Sequence, residues 1–255
     1  MLTRILQSLF NKMGYTIVRT TDAVSYLASP VDMEKEFMDI YHRCKDFTMT
    51  SIERMYSLYK GTEYVVRHNI PGDIVECGVW RGGSAMVCAL TSLHLNEKGR
   101  TIYLYDTFEG MSEPTGKDVE TSSGNSAWEQ WNDFRKRNDK WAYAPIEEVR
   151  KNMFSTGYPR EKLVFVKGKV EDTIPATVPE SISLLRLDTD WYESTYHELC
   201  HLFPRLSAHG VMLLDDYGHW KGAREAADKY FRENGVQILL SRIDYTARIG
   251  IKVKV

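Results

Sequence analysis

The chain has 255 residues, which suits one large α/β domain or a core with a helical cap. Its hydrophobic content of 43% and charged content of 27% are ordinary for a soluble globular protein. The formal net charge of −2 offers no basic field, which argues against a nucleic-acid-binding protein. The four cysteines form no CxxC pair, so we expect free thiols in a reducing cytoplasm rather than disulfides.

The first 19 residues, MLTRILQSLFNKMGYTIVR, place apolar side chains at helical spacing. Polar residues interrupt the apolar run and no small-residue cleavage site follows, which argues against a signal peptide and against a transmembrane span. We expect an amphipathic helix that packs on the domain or on a second subunit, with a peripheral membrane contact as the alternative.

Further helices are predicted between residues 30 and 70. The stretch VDMEKEFMDIYHRCKDF places its apolar residues on one face, and TMTSIERMYSLYKGTEYVVRHN continues the pattern. Thr50 or Ser51 is the expected N-cap of the second helix. Residues 1–69 are therefore predicted to form a helical N-terminal extension.

From Gly72 onward, strand-like and helical segments alternate. Five strands are predicted in DIVECGV, TIYLYDTF, KLVFVKGKV, ISLLRLDTD and GVMLLDDY, and the tail VQILLSRIDYTARIGIKVKV adds two short ones. The alternation predicts an α/β fold over residues 70–255, with a mostly parallel sheet, helices on both faces and an antiparallel hairpin at the edge.

A polar stretch from Glu113 to Lys140 follows the second strand and predicts an insertion or lid over about residues 111–142. Its side chains of Trp128, Trp131 and Phe134 could cover a substrate or could equally pack on the body of the domain.

Ligands bind beyond the carboxyl ends of the strands in such sheets, and polar residues stand there. After the first strand, ECGVWRGGSA is a glycine turn that opens a helix, where the backbone can approach a ligand. It is neither a GxGxxG motif nor a P-loop, so it could also be only a tight connection. Asp106 ends the second strand and is placed to bind a ribose diol, the alternative being a cap on the amides of Thr107 or Phe108.

Three more carboxylates, Asp188, Asp215 and Asp216, follow two successive strands. They cannot stay close together and all ionised without a cation. Oxygen ligands without a His or Cys cluster suit Mg²⁺ or Ca²⁺ rather than Zn²⁺. The alternative is helix capping by Asp216, with a surface ion pair from Asp188 to Arg186 or Arg224.

Four segments in order, IPGDIVECGVWRGG, DTFEG, LRLDTDWYEST and FPRLSAHGVMLLDDY, resemble the macrocin-type (TylF-like) O-methyltransferases from about Ile70 to about Tyr230. The resemblance implies a Rossmann-like class I methyltransferase fold, S-adenosylmethionine (SAM) and Mg²⁺ as cofactors, and methylation of a sugar hydroxyl. It implies an acceptor with vicinal hydroxyls, in antibiotic glycoside or bacterial surface-polysaccharide biosynthesis, and a homo-oligomer. The basic N-terminal helix shifts the expectation towards a surface glycan or its nucleotide-linked precursor.

The resemblance also implies roles for matching positions. SAM is expected at Glu76, Gly78, Trp80, Arg81, Gly82, Ser84, Asp106, Thr107, Phe108 and Gly168, and more weakly at Thr50, Ser51 and Arg54. Mg²⁺ is expected at Asp188, Asp215 and Asp216, where it would acidify and hold two hydroxyls of the acceptor. Asp190 is the expected general base, with His219 as the alternative.

Two other functions stay open. A catechol- or phenol-directed Mg²⁺ methyltransferase would use the same acids, but a lysine is expected near Asp188, where this chain has Trp191. A non-catalytic SAM-binding relative is the second alternative, and the presence of every expected acid argues against it.

Overall fold

A computed structural model describes residues 32–253, and the fold reported below is that of the larger compact unit, Glu36–Val255. The amphipathic helix predicted at the N-terminus lies outside the described residues. Within residues 32–253, no helix has the length and apolar character needed to cross a membrane. All four cysteines are free thiols, as predicted.

In the part of the chain that the structure describes, two α-helices precede the sheet, where the apolar periodicity predicts them. Helix α1 spans Lys35–Cys44 and buries one face, and helix α2 spans Ile52–Arg67. Ser51 is the N-cap of α2, because its hydroxyl oxygen accepts a hydrogen bond from the Arg54 backbone N–H at 3.2 Å. Of the two predicted caps, Ser51 is therefore confirmed.

The sheet has seven strands in the order β3-β2-β1-β4-β5-β7-β6. The strands are β1 (Asp73–Cys77), β2 (Ile102–Asp106), β3 (Leu163–Lys167), β4 (Ile182–Leu187), β5 (Leu206–Leu214), β6 (Ser241–Arg242) and β7 (Arg248–Ile251). The first five pair in parallel, and β7 pairs antiparallel with both β5 and β6. The chain reverses its direction of travel across the sheet between β1 and β4, so a ligand crevice is expected at their carboxyl ends.

The connecting helices are α3 (Gly83–His94), α4 (Ala127–Lys136), α5 (Ile146–Ser155), α6 (Val170–Thr173), α7 (Tyr192–Leu202) and α8 (Lys221–Glu233). One core cluster joins alternate strand residues such as Leu185 and Leu187 to apolar residues of α7 and α8. Every residue of β4 is buried, as expected of a central parallel strand covered on both faces. Its arginine must therefore lie inside the protein.

The predicted lid segment is held against the loops that follow β4 and β5. Phe134 stacks on Trp141 with ring centroids 5.7 Å apart, and Trp141 meets the rings of Trp191 and Trp220 edge-on. Glu120 forms an isolated bridge with Trp220. Phe134 therefore packs on a neighbour within the predicted lid segment, and Trp141 joins that segment to the loops after β4 and β5. That the segment covers a substrate stays a prediction.

Candidate functional site

A cavity of about 270 Å³ opens at the carboxyl ends of the parallel strands. It is lined by the connection before α2, by the loops after β1 to β5, and by the turn between β6 and β7. Most of the predicted site residues meet there: Thr50, Arg54, Gly78, Trp80, Ser84, Asp106, Thr107, Gly168, Asp188, Asp190, Asp215, Asp216 and His219.

Five residues predicted to touch the cofactor do not line the cavity: Ser51, Glu76, Arg81, Gly82 and Phe108. The Glu76 carboxylate is buried against Arg186. Arg81 points away, to Glu148 and the carbonyl of Asp46. Gly82 is the N-cap of α3 and Ser51 that of α2. These five residues therefore support the loops around the cavity rather than line it.

The glycine turn after β1 brings two strand ends into very close approach. Gly78 has a φ of +81°, and a Cβ atom there would lie 1.8 Å from the backbone oxygen of Asp188. Only glycine tolerates both the positive φ and this contact. The turn therefore places the β1 loop directly beside the acids that follow β4.

Asp106 organises this loop. Its Oδ2 accepts hydrogen bonds from the amides of Val79 at 2.8 Å and Trp80 at 3.0 Å, and its Oδ1 accepts one from Phe108 at 2.7 Å. The alternative role predicted for Asp106, a cap on the backbone N–H of Phe108, is therefore confirmed. The Thr107 hydroxyl lies a further 3.4 Å from Oδ1, so both oxygens of Asp106 already have protein partners.

The predicted metal ligands form one cluster. Ligand atoms of Asp188, Asp215 and Asp216 all lie within 4.8 Å of one another. Burial raises the pKa of the Asp188 and Asp216 carboxyls well above the ordinary value, against the lowering effect of the Arg186 guanidinium. Anions packed this tightly favour the binding of a cation.

Arg186 lies at the centre of the acid cluster, although the sequence suggested it only as an alternative ion-pair partner of Asp188. Its guanidinium donates to Glu76 Oε1 at 2.5 Å and to Asp215 Oδ1 at 2.8 Å, and pairs with Asp188 Oδ2 at 2.7 Å. The ion pair between Asp188 and Arg186 thus exists, but it is buried rather than on the surface. An arginine within the mostly apolar strand ISLLRL was the available signal, because a buried charge needs partners.

Arg54 supplies a second guanidinium from the start of α2. It pairs with Asp215 and, through Nε at 3.0 Å, with Asp244 Oδ2. Asp244 lies in the turn between β6 and β7 and also accepts a hydrogen bond from Ser51 Oγ at 2.9 Å. The start of α2 is therefore tied to the turn between β6 and β7 beside the cavity.

Asp190 adopts the left-handed backbone conformation, with a φ of +66°. Its amide donates to Asp216 Oδ2 at 3.1 Å, and its Oδ1 accepts the indole N–H of Trp220 at 2.7 Å. Burial, and secondly the charge of Asp188, raises its pKa to about 7. Non-glycine residues with positive φ concentrate at functional sites, where the surrounding contacts hold them.

His219 is half-buried in the cavity wall, and its Nδ1 lies 3.3 Å from the Tyr245 hydroxyl. Burial lowers the pKa of its imidazole. Met49 and Tyr245 line the same wall and remain 63% and 59% exposed, which makes the cavity mouth partly apolar. These two residues had not been predicted, because neither belongs to a motif.

The chain matches the macrocin-O-methyltransferase (TylF) family over residues 7–249. It is 34% identical to the 8-demethyl-8-(2,3-dimethoxy-alpha-L-rhamnosyl)-tetracenomycin-C 4'-O-methyltransferase of Streptomyces olivaceus, over 78% of this chain and 73% of that protein. It is 32% identical to the demethyldecarbamoylnovobiocin O-methyltransferase of Streptomyces niveus, over 72% of this chain and 67% of that protein.

Among solved structures, the O-methyltransferase NovP superimposes with a TM-score of 0.71 at 29% identity, over 82% of this chain and 83% of that chain. The fold predicted from the alternation of strands and helices, a Rossmann-like class I methyltransferase, is thereby confirmed. The methyl donor of such an enzyme is S-adenosylmethionine. With its cavity at the carboxyl ends of the strands and a family match across nearly its whole length, the chain belongs to the macrocin-O-methyltransferase family and is a SAM-dependent O-methyltransferase.

Proposed function

We propose that this enzyme methylates a hydroxyl of a sugar, with Mg²⁺ held by Asp188, Asp215 and Asp216 and with Asp190 as the general base. The observation that carries this proposal is the convergence of the acid cluster, Asp190 and the glycine turn on one cavity. A methyl donor and a chelated hydroxyl would thereby meet in the same space.

The residues around the β1 loop fit SAM. Asp106 lines the cavity at the carboxyl end of β2, the position from which a carboxylate binds the hydroxyls of a ribose in such folds. Trp80 and Ser84 line the cavity at the start of α3, where backbone N–H groups face outward. We therefore place the donor between the β1 loop and Gly168. When bound, SAM supplies a methyl group on a positively charged sulfur.

The charge balance of the site fits a divalent cation. The carboxylates of Glu76, Asp188, Asp215, Asp216 and Asp244 lie near the guanidinium groups of Arg54 and Arg186, and the carboxylate of Asp190 lies near Asp188 and Asp216. Six potential negative charges therefore face two positive ones. The ligand set is purely oxygen, which suits Mg²⁺. When bound, Mg²⁺ would lower the pKa of two vicinal hydroxyls of the acceptor and hold them.

Asp190 would then remove the proton. A sugar hydroxyl is a very weak acid, so its proton must leave as the oxygen attacks the methyl carbon and the carbon–sulfur bond breaks. Asp190 lines the cavity two residues after Asp188, so it can reach a hydroxyl that is held at the acid cluster. Rigid placement of donor and acceptor supplies much of the remaining acceleration.

The cavity mouth suits a sugar attached to an apolar aglycone. Met49 and Tyr245 are exposed there, and Met111 and Ser112 line the wall from the start of the lid segment. Sugars and flat aglycones both pack on such surfaces. The relative from Streptomyces olivaceus carries a rhamnosyl group in its substrate name, which further supports a glycoside. Turnover measured on both glycosides and polysaccharide sugars would show which of the two acceptor classes the enzyme uses.

The catechol alternative is not supported. Among the described residues that line the cavity, the only lysine is Lys169, which follows β3 rather than β4. The position after Asp190 holds Trp191, whose indole N–H donates to the carbonyl of Ser112 at 3.0 Å. A lysine base beside Asp188 is therefore missing from this cavity.

Calorimetric titration with S-adenosylhomocysteine and Mg²⁺, combined with turnover on a panel of glycosides, tests the proposal. Asp215→Asn should abolish Mg²⁺ binding and turnover while S-adenosylhomocysteine still binds. Asp228→Asn is the matched control, because Asp228 makes its hydrogen bond to the Tyr217 hydroxyl outside the cavity. Loss of S-adenosylhomocysteine binding in a folded Asp215→Asn protein would contradict the metal assignment.

Asp190→Asn tests the base separately. Asparagine tolerates the left-handed backbone and has nearly the shape of aspartate. The variant should bind both S-adenosylhomocysteine and Mg²⁺ and lose turnover. A nearly normal rate would move the base role elsewhere, with His219 as the next candidate.

A further inference from the structure

Trp220 is a buried residue that reaches the site without lining the cavity. Its side chain is 1% exposed and it precedes helix α8 as the N-cap. Its indole N–H donates to Asp190 Oδ1 at 2.7 Å, a short bond of the charge-assisted kind when Asp190 is ionised. The buried Trp220 side chain thus fixes Oδ1 of Asp190, which lines the cavity.

We propose that Trp220 is a positioning residue, whose indole N–H holds the Asp190 carboxylate in the orientation that receives the acceptor proton. This inference rests on the proposed function, in which Asp190 is the base. An aspartate side chain can rotate about two bonds, and tying Oδ1 to the core leaves Oδ2 to meet the substrate. Misplacement of a catalytic group by about 1 Å can cost on the order of a hundredfold in rate.

The indole ring is itself held in place. Its centroid lies 5.2 Å from that of Trp191 and 6.3 Å from that of Trp141, both at edge-on angles. The Trp220 backbone N–H donates to the carbonyl of Asp216 at 3.0 Å, and Glu120 of the lid segment bridges to Trp220. The Trp220 side chain is therefore fixed by its backbone and by its packing, and within this cluster it is the indole N–H of Trp220 that contacts Asp190.

Trp191 provides the internal comparison. It is 2% exposed, belongs to the same aromatic cluster and also uses its indole N–H, but it donates to the backbone carbonyl of Ser112. Replacing either tryptophan by phenylalanine removes the same atoms from the same cluster. Trp220→Phe loses the hydrogen bond to Asp190, whereas Trp191→Phe loses the one to the Ser112 carbonyl.

The experiment compares Trp220→Phe with Trp191→Phe in the full-length enzyme, measuring kcat, KM for the acceptor, the Kd of S-adenosylhomocysteine and thermal stability. A hydrogen bond to a charged group is worth roughly tenfold to a hundredfold in an equilibrium or rate. We expect Trp220→Phe to lower kcat by about that factor, with KM and Kd close to the wild-type values. Trp191→Phe should lose similar stability and keep kcat.

Equal kcat values for the two variants, or a rise in KM that accounts for the whole effect of Trp220→Phe, would overturn the inference. If Trp220→Phe does not fold, replacing Trp220 by 3-benzothienylalanine keeps the bicyclic ring and removes only the N–H donor. The same fall in kcat is then expected, and an unchanged kcat would overturn the inference.

Asp190→Asn, measured in parallel, separates this inference from the proposed function. If Asp190→Asn retains turnover, the base assignment fails and Trp220 has no base to position. If Asp190→Asn is inactive while Trp220→Phe behaves like Trp191→Phe, only the positioning role fails.

Discussion

Replacement of Arg186 by methionine should destabilise the fold strongly, because it leaves buried carboxylates without their cation. The Arg186 side chain is 4% exposed and contacts Glu76, Asp188 and Asp215 at 2.5 to 2.8 Å. The other oxygen of Glu76, Oε2, is buried and makes no hydrogen bond. Glu76 therefore depends on Arg186 for compensation of its charge.

The expected loss follows from the burial of the pair. Removing one partner of a buried ion pair costs about 3–5 kcal/mol, since the remaining charge stays uncompensated in a medium of low polarity. Domains of ordinary stability unfold with a free energy of about 5–15 kcal/mol. For a protein of this size, the loss corresponds to a fall in Tm of roughly 6–20 °C.

Arg81→Met is a matched control. The Arg81 guanidinium also meets a carboxylate at 2.5 Å, that of Glu148, but the two side chains are 36% and 33% exposed. An exposed pair is worth about 0–1 kcal/mol because water already solvates both charges. Arg81 also donates to the carbonyl of Asp46, so the control slightly overstates the cost of an exposed pair.

Urea unfolding of both variants and the wild type at pH 6 and pH 8 measures the difference. We expect Arg186→Met to lose at least about 2 kcal/mol more than Arg81→Met at pH 8. The gap should narrow at pH 6, because protonation relieves the unpaired carboxylates. Equal losses at pH 8 would show that these carboxyls are neutral in the folded protein, and would refute the reasoning.

Two further predictions concern Glu76 and Gly78. Burial raises the pKa of Glu76 to about 7 from its ordinary value of 4.5, so the stability that this group contributes is present below pH 4.5 and is lost as pH rises through 7. The stability of Glu76→Gln relative to wild type should therefore be higher at pH 8 than at pH 5 in urea titrations, on top of a constant cost for breaking the pair with Arg186, and parallel pH curves would contradict the assignment. Gly78→Ala should destabilise the fold by several times the loss in Gly157→Ala, as measured by thermal unfolding. Both glycines have φ near +80°, but a Cβ meets no atom within 4 Å at Gly157, which leaves only a backbone cost of about 1–2 kcal/mol. Similar losses would show that the Asp188 backbone moves aside freely.

Much of the fold could be predicted from local patterns. Short, mostly apolar runs mark central parallel strands, since both faces of such a strand are covered. Acids directly after those runs mark the ligand edge, because every parallel strand ends at the same side of the sheet. These two regularities place Asp106, Asp188, Asp190, Asp215 and Asp216 around one cavity before any coordinates are known.

The partners of these acids could not be predicted in the same way. Trp220 is 30 residues from Asp190, and Ser51 is 193 residues from Asp244, so no local spacing relates them. Glu76 also illustrates the difference: it precedes the glycine turn by two residues, as the family motif requires, yet its side chain is buried against Arg186 and does not line the cavity.

The sequence by itself determined the order of strands and helices, the ligand edge of the sheet and the family, because each of these depends on residues close together in the chain. The tertiary structure alone decided which charges are paired, which predicted cofactor residues do not line the cavity, and which buried side chain holds Asp190. Those contacts depend on the pairing of β1 with β4 and on the direction of each side chain within the packed core. Pairing and direction are fixed by long-range packing, on which the local pattern of residues carries little information.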